Sequence, residues 1–134
     1  KPKPFAFVLM PFDSEFDDIY RLGIKETADR NGVVAERVDE QIYTESILGR
    51  IYRQIDAADF IIADMTDKNP NVFYEAGLAH AFGKEVILIT QSMDDVPFDL
   101  RSLRCITYHG NNEGREQLAS EILQRLQKVA PLGD

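Results

Sequence analysis

Two stretches of consecutive apolar residues dominate the hydropathy pattern of the chain. Residues 5–10 and 60–63 contain no polar side chain, and they end at Pro11 and Asp64. Short uninterrupted apolar runs of this kind are typical of strands that are covered on both faces of a sheet. The pattern therefore predicts two central, fully buried strands. Three further strands are predicted at residues 33–35, 85–90 and 104–108.

Between these strands, apolar residues recur at spacings of three and four, which predicts amphipathic helices that pack one face on a sheet. The two clearest stripes run through Phe16, Ile19, Tyr20, Ile24 and Ala28, and through Ile47, Leu48, Ile51 and Ile55. Asn71 is a candidate N-cap for a third helix over residues 72–82. A short helix at residues 98–102 and a C-terminal helix at about 113–129 complete the predicted elements.

Strands and helices alternate strictly along the chain, which predicts a parallel sheet with helices on both faces. We expect a flavodoxin-like three-layer α/β sandwich whose five parallel strands have the order 2-1-3-4-5. Ligands of such sheets bind beyond the carboxyl ends of the strands, where the winding reverses between the first and third strands. This rule selects two loops, residues 11–17 and 65–71, as the candidate site.

Composition narrows the class of protein. The 134 residues include 23 acidic and 15 basic side chains, for a net charge of −8, and the basic residues are dispersed. Generic binding to nucleic acid or to an anionic membrane is disfavoured, because both need a concentrated positive field. The single cysteine, Cys105, fits a reducing, cytoplasmic location. We expect one domain over residues 1–134, and the absence of an initiating Met fits a domain excised from a longer chain.

Glu75 is the leading candidate for catalysis. It follows the predicted start of the third helix, where the helix dipole and free N–H groups favour the carboxylate form. We therefore expect Glu75 to be ionised at neutral pH and to point into the crevice. An ionised carboxylate there can attack a sugar C1 or stabilise an oxocarbenium ion. The alternative is an exposed Glu that only complements the helix dipole.

Asp64 ends a buried strand at the switch point, which indicates a second catalytic candidate that orients the substrate or protonates the base. Its alternative role is an Asx-turn leading into Thr66. We expect Phe12, Asp13, Asp64 and Asn71 to line one pocket with Glu75. The residues assigned to substrate binding are Phe12, Asp13, Phe16, Asp39, Asn69 and Asn71.

The loop after the first strand allows two interpretations. Phe12 can stack on a planar base while Asp13 accepts hydrogen bonds from ligand hydroxyls. Alternatively, Phe12 and Phe16 cover the core and Asp13 caps a helix. For Asp39, an ion pair with Arg37 and a contact to the ligand are both open. No metal or other cofactor is expected, because no His, Cys or carboxylate cluster has metal-ligand spacing and the loop lacks phosphate-binding glycines.

Residues 59–84 resemble the nucleoside 2-deoxyribosyltransferase-like family. The resemblance rests on a buried strand after Ala58-Asp59, a turn, and the helix that carries Tyr74-Glu75-Ala76-Gly77. It implies that Glu75 is a nucleophile that attacks C1′ of a nucleoside or nucleotide and forms a glycosyl-enzyme intermediate. It also implies an enzyme, either a transferase or a hydrolase, that forms a homo-oligomer.

The first loop departs from this resemblance, because the chain has Pro11-Phe12-Asp13 where the well-studied transferases carry a glycine-rich loop. The identity of the substrate is left open by this difference. Two alternatives therefore stand beside a deoxyribosyltransferase or N-glycoside hydrolase. One is an NAD hydrolase of the TIR type, which has a similar sheet. The other is a nucleotide-binding sensor module without turnover.

Overall fold

A single five-stranded sheet forms the centre of the computed structural model, which describes residues 3–129. All neighbouring strands pair in parallel, in the order β2-β1-β3-β4-β5. The strands are β1 (Phe5–Leu9), β2 (Val34–Glu36), β3 (Phe60–Asp64), β4 (Glu85–Thr90) and β5 (Cys105–Thr107). The predicted fold class and strand order are confirmed. The ends of the predicted domain, residues 1–2 and 130–134, lie outside the described residues.

Helices cover both faces of this sheet. They are α1 (Glu26–Arg30), α2 (Ile47–Ala57), α3 (Pro70–Ala81) and α4 (Asn112–Val129). The buried residues of α1 and α4 belong to one apolar layer, and those of α2 and α3 belong to the other. Every residue of β3 is buried, and β1 sends Ala6 and Val8 into one layer and Phe7 and Leu9 into the other. Among the described residues, no helix is long and apolar enough to cross a membrane.

The first predicted helix is less regular than its apolar stripe indicates. A 3-10 turn (Ser14–Phe16) is followed by a π-helix (Ile19–Lys25) that continues into α1. Gly23 lies in the π-helix against α4, and a Cβ atom there would come within 3.2 Å of Leu118. The wider turns of a π-helix are compatible with inward-facing residues at spacings of four and five. A search for α-helical periodicity does not distinguish such a segment from an α-helix.

The start of α3 differs from the prediction by two residues, and this difference matters for the site. Asn69, not Asn71, is the N-cap: its side-chain oxygen accepts hydrogen bonds from the backbone N–H groups of Asn71 and Val72, at 3.0 and 3.1 Å. Pro70 then occupies the first helical position, where its missing N–H costs nothing. The prediction of Asn71 as the cap was wrong because an Asn-Pro-Asn sequence offers two candidate caps.

Asn69→Ala is expected to lower the free energy of unfolding by about 1 kcal/mol, the usual effect of removing an N-cap. Asn71→Ala is the matched control, since that exposed side chain caps nothing, and it should change stability by less than about 0.5 kcal/mol. Urea denaturation of the two variants beside the wild type checks this. Equal losses from both substitutions would contradict the assignment.

Candidate functional site

A cavity of about 220 Å³ lies at the carboxyl end of β1, where the winding of the sheet reverses. Its walls come from β1 and the loop after it, from Val38 after β2, from one face of α2 and from the first turns of α3. The lining residues are Phe7, Val8, Leu9, Met10, Pro11, Phe12, Val38, Ile47, Leu48, Ile51, Asn69, Asn71, Val72 and Glu75. This is the position that the topology of the sheet predicts for a ligand.

The cavity is mostly apolar, and its apolar residues differ in exposure. Ile51 and Val72 belong to the buried core, whereas Ile47, Leu48 and Phe12 are 54%, 44% and 52% exposed. Ile47 and Leu48 were not predicted as site residues, because they continue the apolar stripe of α2. The signal that could have found them is their position: they directly follow Ser46, the N-cap of α2, and so lie at the carboxyl edge of the sheet.

Glu75 is the only ionisable residue among the described residues that line this cavity. It lies one turn beyond Asn71 and Val72 on α3, and its carboxylate has no hydrogen bond or ion pair within residues 3–129. Burial raises the pKa of Glu75 to about 7. With this pKa, part of the population is protonated at neutral pH, whereas the sequence predicted a group that is ionised there.

Asp64 does not reach the cavity. Its side chain is fully buried, and one carboxylate oxygen accepts hydrogen bonds from the backbone N–H and the hydroxyl of Thr66, at 3.0 and 2.6 Å. The Tyr108 hydroxyl donates to the other oxygen. Burial raises the pKa of Asp64, and these hydrogen bonds oppose that shift. The predicted position of Asp64 beside Glu75 was wrong, and the alternative, an Asx-turn into Thr66, describes its geometry.

The loop after β1 separates the two aromatic residues that the sequence grouped together. Phe16 is 1% exposed and packs in the core with α4, so the predicted contact of Phe16 with a substrate was wrong. Asp13 is exposed and does not line the cavity; its backbone carbonyl accepts the N–H of Phe16 at 2.9 Å. The reason is that the 3-10 turn directs Phe16 inward while Phe12, one turn earlier, stays at the cavity.

Asp39 binds Arg37 instead of facing the cavity that holds Glu75. Its two carboxylate oxygens accept hydrogen bonds from Nε and Nη2 of Arg37, at 3.1 and 3.0 Å. Both residues line a second, more open and more polar cavity of about 650 Å³, and Phe12 lines both cavities. The structure therefore brings Phe12, Asn69, Asn71 and Glu75 together, and places Asp39 on the other side of Phe12.

The polar groups available in the first cavity differ in what they can still bind. The side-chain oxygen of Asn69 is occupied by the capping hydrogen bonds, whereas the amide of Asn71 is exposed. Together with Glu75, these amides offer donors and acceptors for ligand hydroxyls. Within residues 3–129, no group of three or more His, Cys, Asp or Glu side chains is placed to hold a metal ion.

Comparison with known proteins identifies relatives of the fold. No protein-family model and no curated protein sequence matches the chain. Among solved structures, a 2-desoxiribosyltransferase from Leishmania mexicana superposes with a TM-score of 0.57 at 21% identity, over 66% of this chain. This chain spans 65% of that enzyme's length.

Two bacterial structures overlap more completely. The 2-deoxyribosyltransferase from Bacillus psychrosaccharolyticus has a TM-score of 0.62 at 14% identity, over 82% of this chain and 90% of that one. The CMP N-glycosidase BcmB from Clostridium botulinum has a TM-score of 0.66 at 19% identity, over 89% and 98%. At these identities the likeness shows the fold. The chain has the nucleoside 2-deoxyribosyltransferase-like fold.

Proposed function

We propose that the protein cleaves or exchanges the N-glycosidic bond of a nucleoside or nucleotide, with Glu75 as the nucleophile. The observation that carries this proposal is a single half-buried carboxylate with no partner among residues 3–129, in a mostly apolar cavity at the switch point of the sheet. An unpaired buried carboxylate costs stability, and such groups cluster at functional sites. The fold shared with two deoxyribosyltransferases and a CMP N-glycosidase supports the same chemistry.

The reaction needs two steps at one sugar carbon. A carboxylate oxygen of Glu75 bonds to C1′ while the C1′–N bond breaks. The electron pair of the C1′–N bond leaves with the base, which takes a proton from water. Water or a second base then attacks C1′, loses a proton to the hydroxide left by the first step, and releases the Glu75 carboxylate as the C1′–O bond breaks. Asp64 supplies no proton in this scheme, because its carboxyl group is fully buried and hydrogen-bonded to Thr66 and Tyr108.

The cavity walls fit the parts of such a substrate. The half-exposed ring of Phe12 offers a surface on which a planar base can stack. The side chain of Asn71 lies near Glu75 along α3 and can hydrogen-bond to sugar hydroxyls. Glu75 is half-buried, and partial exclusion of solvent strengthens its interaction with positive charge that develops on the sugar ring.

A panel assay tests the class of reaction. The protein is incubated with nucleosides, deoxynucleosides, nucleotides and NAD, each alone and with a second free base, and chromatography detects the released base or the exchanged nucleoside. Release from nucleosides or nucleotides supports the proposal. Cleavage of NAD alone favours a hydrolase of the TIR type. Binding without any turnover favours the sensor module and contradicts the proposal.

Glu75→Gln is expected to lower turnover on the order of 10⁴-fold or more while leaving ligand binding within a few-fold of the wild type. The amide keeps the shape of the side chain but cannot form the glycosyl ester. Glu85→Gln is the control, because Glu85 is exposed at the amino end of β4, and it should retain full activity. Steady-state kinetics and ligand titration measure both effects. Wild-type turnover in Glu75→Gln would exclude Glu75 as the nucleophile.

The pKa of Glu75 also predicts a pH dependence that needs no substrate. The folded state, with a pKa of about 7, binds more protons than the unfolded chain, whose ordinary value is 4.5, so the free energy of unfolding falls as the pH rises across this window. Glu75→Gln cannot titrate. The stability of Glu75→Gln relative to the wild type should therefore increase between about pH 4.5 and 8. Turnover by the wild type needs the carboxylate, so it should rise over the same interval.

Thermal denaturation of both proteins across this range measures the stability difference, and kcat/KM measured on the substrate from the panel gives the second profile. Glu85→Gln again serves as the control for loss of an exposed carboxylate outside the cavity. A difference between Glu75→Gln and the wild type that does not change with pH would show that Glu75 titrates as an ordinary exposed carboxylate.

A further inference from the structure

Arg37 lies against the ring of Phe12, the residue on which the proposed function stacks the base of the substrate. It follows the last residue of β2 and is 6% exposed. The centre of its guanidinium lies 5.7 Å from the ring centroid of Phe12 and 4.5 Å from that of Tyr20. Both distances fall within the range of cation–π contacts. We call this arrangement the Phe12–Arg37–Tyr20 stack.

The inner part of the stack is firmly held. Arg37 donates two hydrogen bonds to Asp39, and its Nη2 lies 3.6 Å from a carboxylate oxygen of Asp17. The Tyr20 hydroxyl donates to a carboxylate oxygen of Glu40, and the backbone carbonyl oxygen of Ala35 lies 3.3 Å from the same hydroxyl. Tyr20 and the guanidinium are therefore fixed from several directions, whereas Phe12, at the outer end, is half-exposed.

One nitrogen of Arg37 indicates that stability alone does not explain the stack. Nη1 is buried and makes no hydrogen bond to any of the described residues. An unpaired buried donor costs free energy, so a fold selected for stability alone would pair or remove it. The guanidinium instead lies within cation–π distance of two aromatic rings, and a lysine has no planar group with which to contact both.

We propose that Arg37 is a positioning residue that holds Phe12 in place as a wall of the cavity, so that a planar base can stack on the ring. The inference rests on the proposed function of the cavity. Because Phe12 lines both cavities, the guanidinium can order the ring from the side away from Glu75. Ordering the ring before binding removes an entropic cost that the substrate would otherwise meet.

The first test needs no substrate. The chain contains no tryptophan, so Phe12→Trp gives a protein whose indole fluorescence reports position 12 alone. With Arg37 present, steady-state anisotropy should show a restrained indole; adding Arg37→Lys should lower the anisotropy toward that of a mobile exposed indole. Adding Arg21→Lys instead is the control, because Arg21 is an exposed arginine paired with Asp18, and it should leave the signal unchanged.

The second test asks whether Arg37 acts through Phe12. Arg37→Lys should lower kcat/KM about five- to tenfold, mainly by raising KM, because it removes ordering of the binding wall and not the nucleophile. Phe12→Ala should weaken binding as well. In the double variant, Arg37→Lys should have little further effect, since the ring on which it acts is absent. The pH profile of turnover should keep the midpoint set by Glu75.

The outcomes separate this inference from the proposed function. Unchanged anisotropy, or additive effects in the double variant, would overturn the role of Arg37 even if turnover is found. A fall in anisotropy without turnover of any substrate would support the positioning of Phe12 and contradict the proposed chemistry. If Arg37→Lys does not fold, Asp39→Ala replaces it, because this substitution removes the carboxylate that holds the guanidinium. Asp39→Ala should lower the anisotropy of the indole and raise KM, as expected for Arg37→Lys. No change in Asp39→Ala would overturn the proposal.

Discussion

The buried carboxyl group of Asp64 joins three strand ends at the edge of the sheet that carries the site. A buried polar group must be hydrogen-bonded or it costs several kilocalories per mole, and Asp64 satisfies both of its oxygens through Thr66 and Tyr108. The backbone N–H of Gln91, directly after β4, donates to the Thr66 hydroxyl at 3.0 Å. This network holds together the ends of β3, β4 and β5, and it fixes the turn from which α3 begins.

That turn determines what α3 presents to the cavity. After Thr66 the chain passes through Asp67 and Lys68, both in the left-handed region with φ of 64° and 53°, before Asn69 caps the helix. Non-glycine residues in this region carry a conformational cost that the surrounding structure must offset. The network around Asp64 and the hydrogen bond from the Asp67 N–H to Asp95, at 2.9 Å, supply that support. Glu75, by contrast, is half-buried and has no hydrogen-bond partner among residues 3–129, so the two acids differ in role.

The sequence was sufficient for the sheet because its signals are local and strong. The apolar runs of β1 and β3, the β4 strand at residues 85–90 and the alternation of elements lead directly to the order β2-β1-β3-β4-β5. The site was harder, because residues of one loop can point in opposite directions. Periodicity could not reveal that Phe16 turns into the core while Phe12 stays outside, or that Asp64 turns inward at the end of a strand.

Competing effects limited the remaining expectations. For Glu75, the position near the start of α3 suggests an ionised carboxylate, but burial raises the pKa of the group, and burial is a property of the packed cavity. For Arg37, the sequence shows a nearby acid, Asp39, but the contacts with Phe12 and Tyr20 join residues from three separate segments. Side-chain contacts between distant segments are a property of the folded chain, which a pattern of neighbours along the sequence does not contain.

The cap of α3 also constrains how the chain can vary during evolution. Asn69 and Pro70 fix where the helix begins, and Glu75 lies six residues beyond the cap. Each residue of an α-helix advances the side-chain direction by about 100°, so one inserted or deleted residue between Asn69 and Glu75 would turn the carboxylate away from the cavity. Substitutions in this segment change the cavity wall, whereas changes of length remove its acid. The spacing from cap to glutamate therefore decides whether α3 presents an acid to the cavity at all.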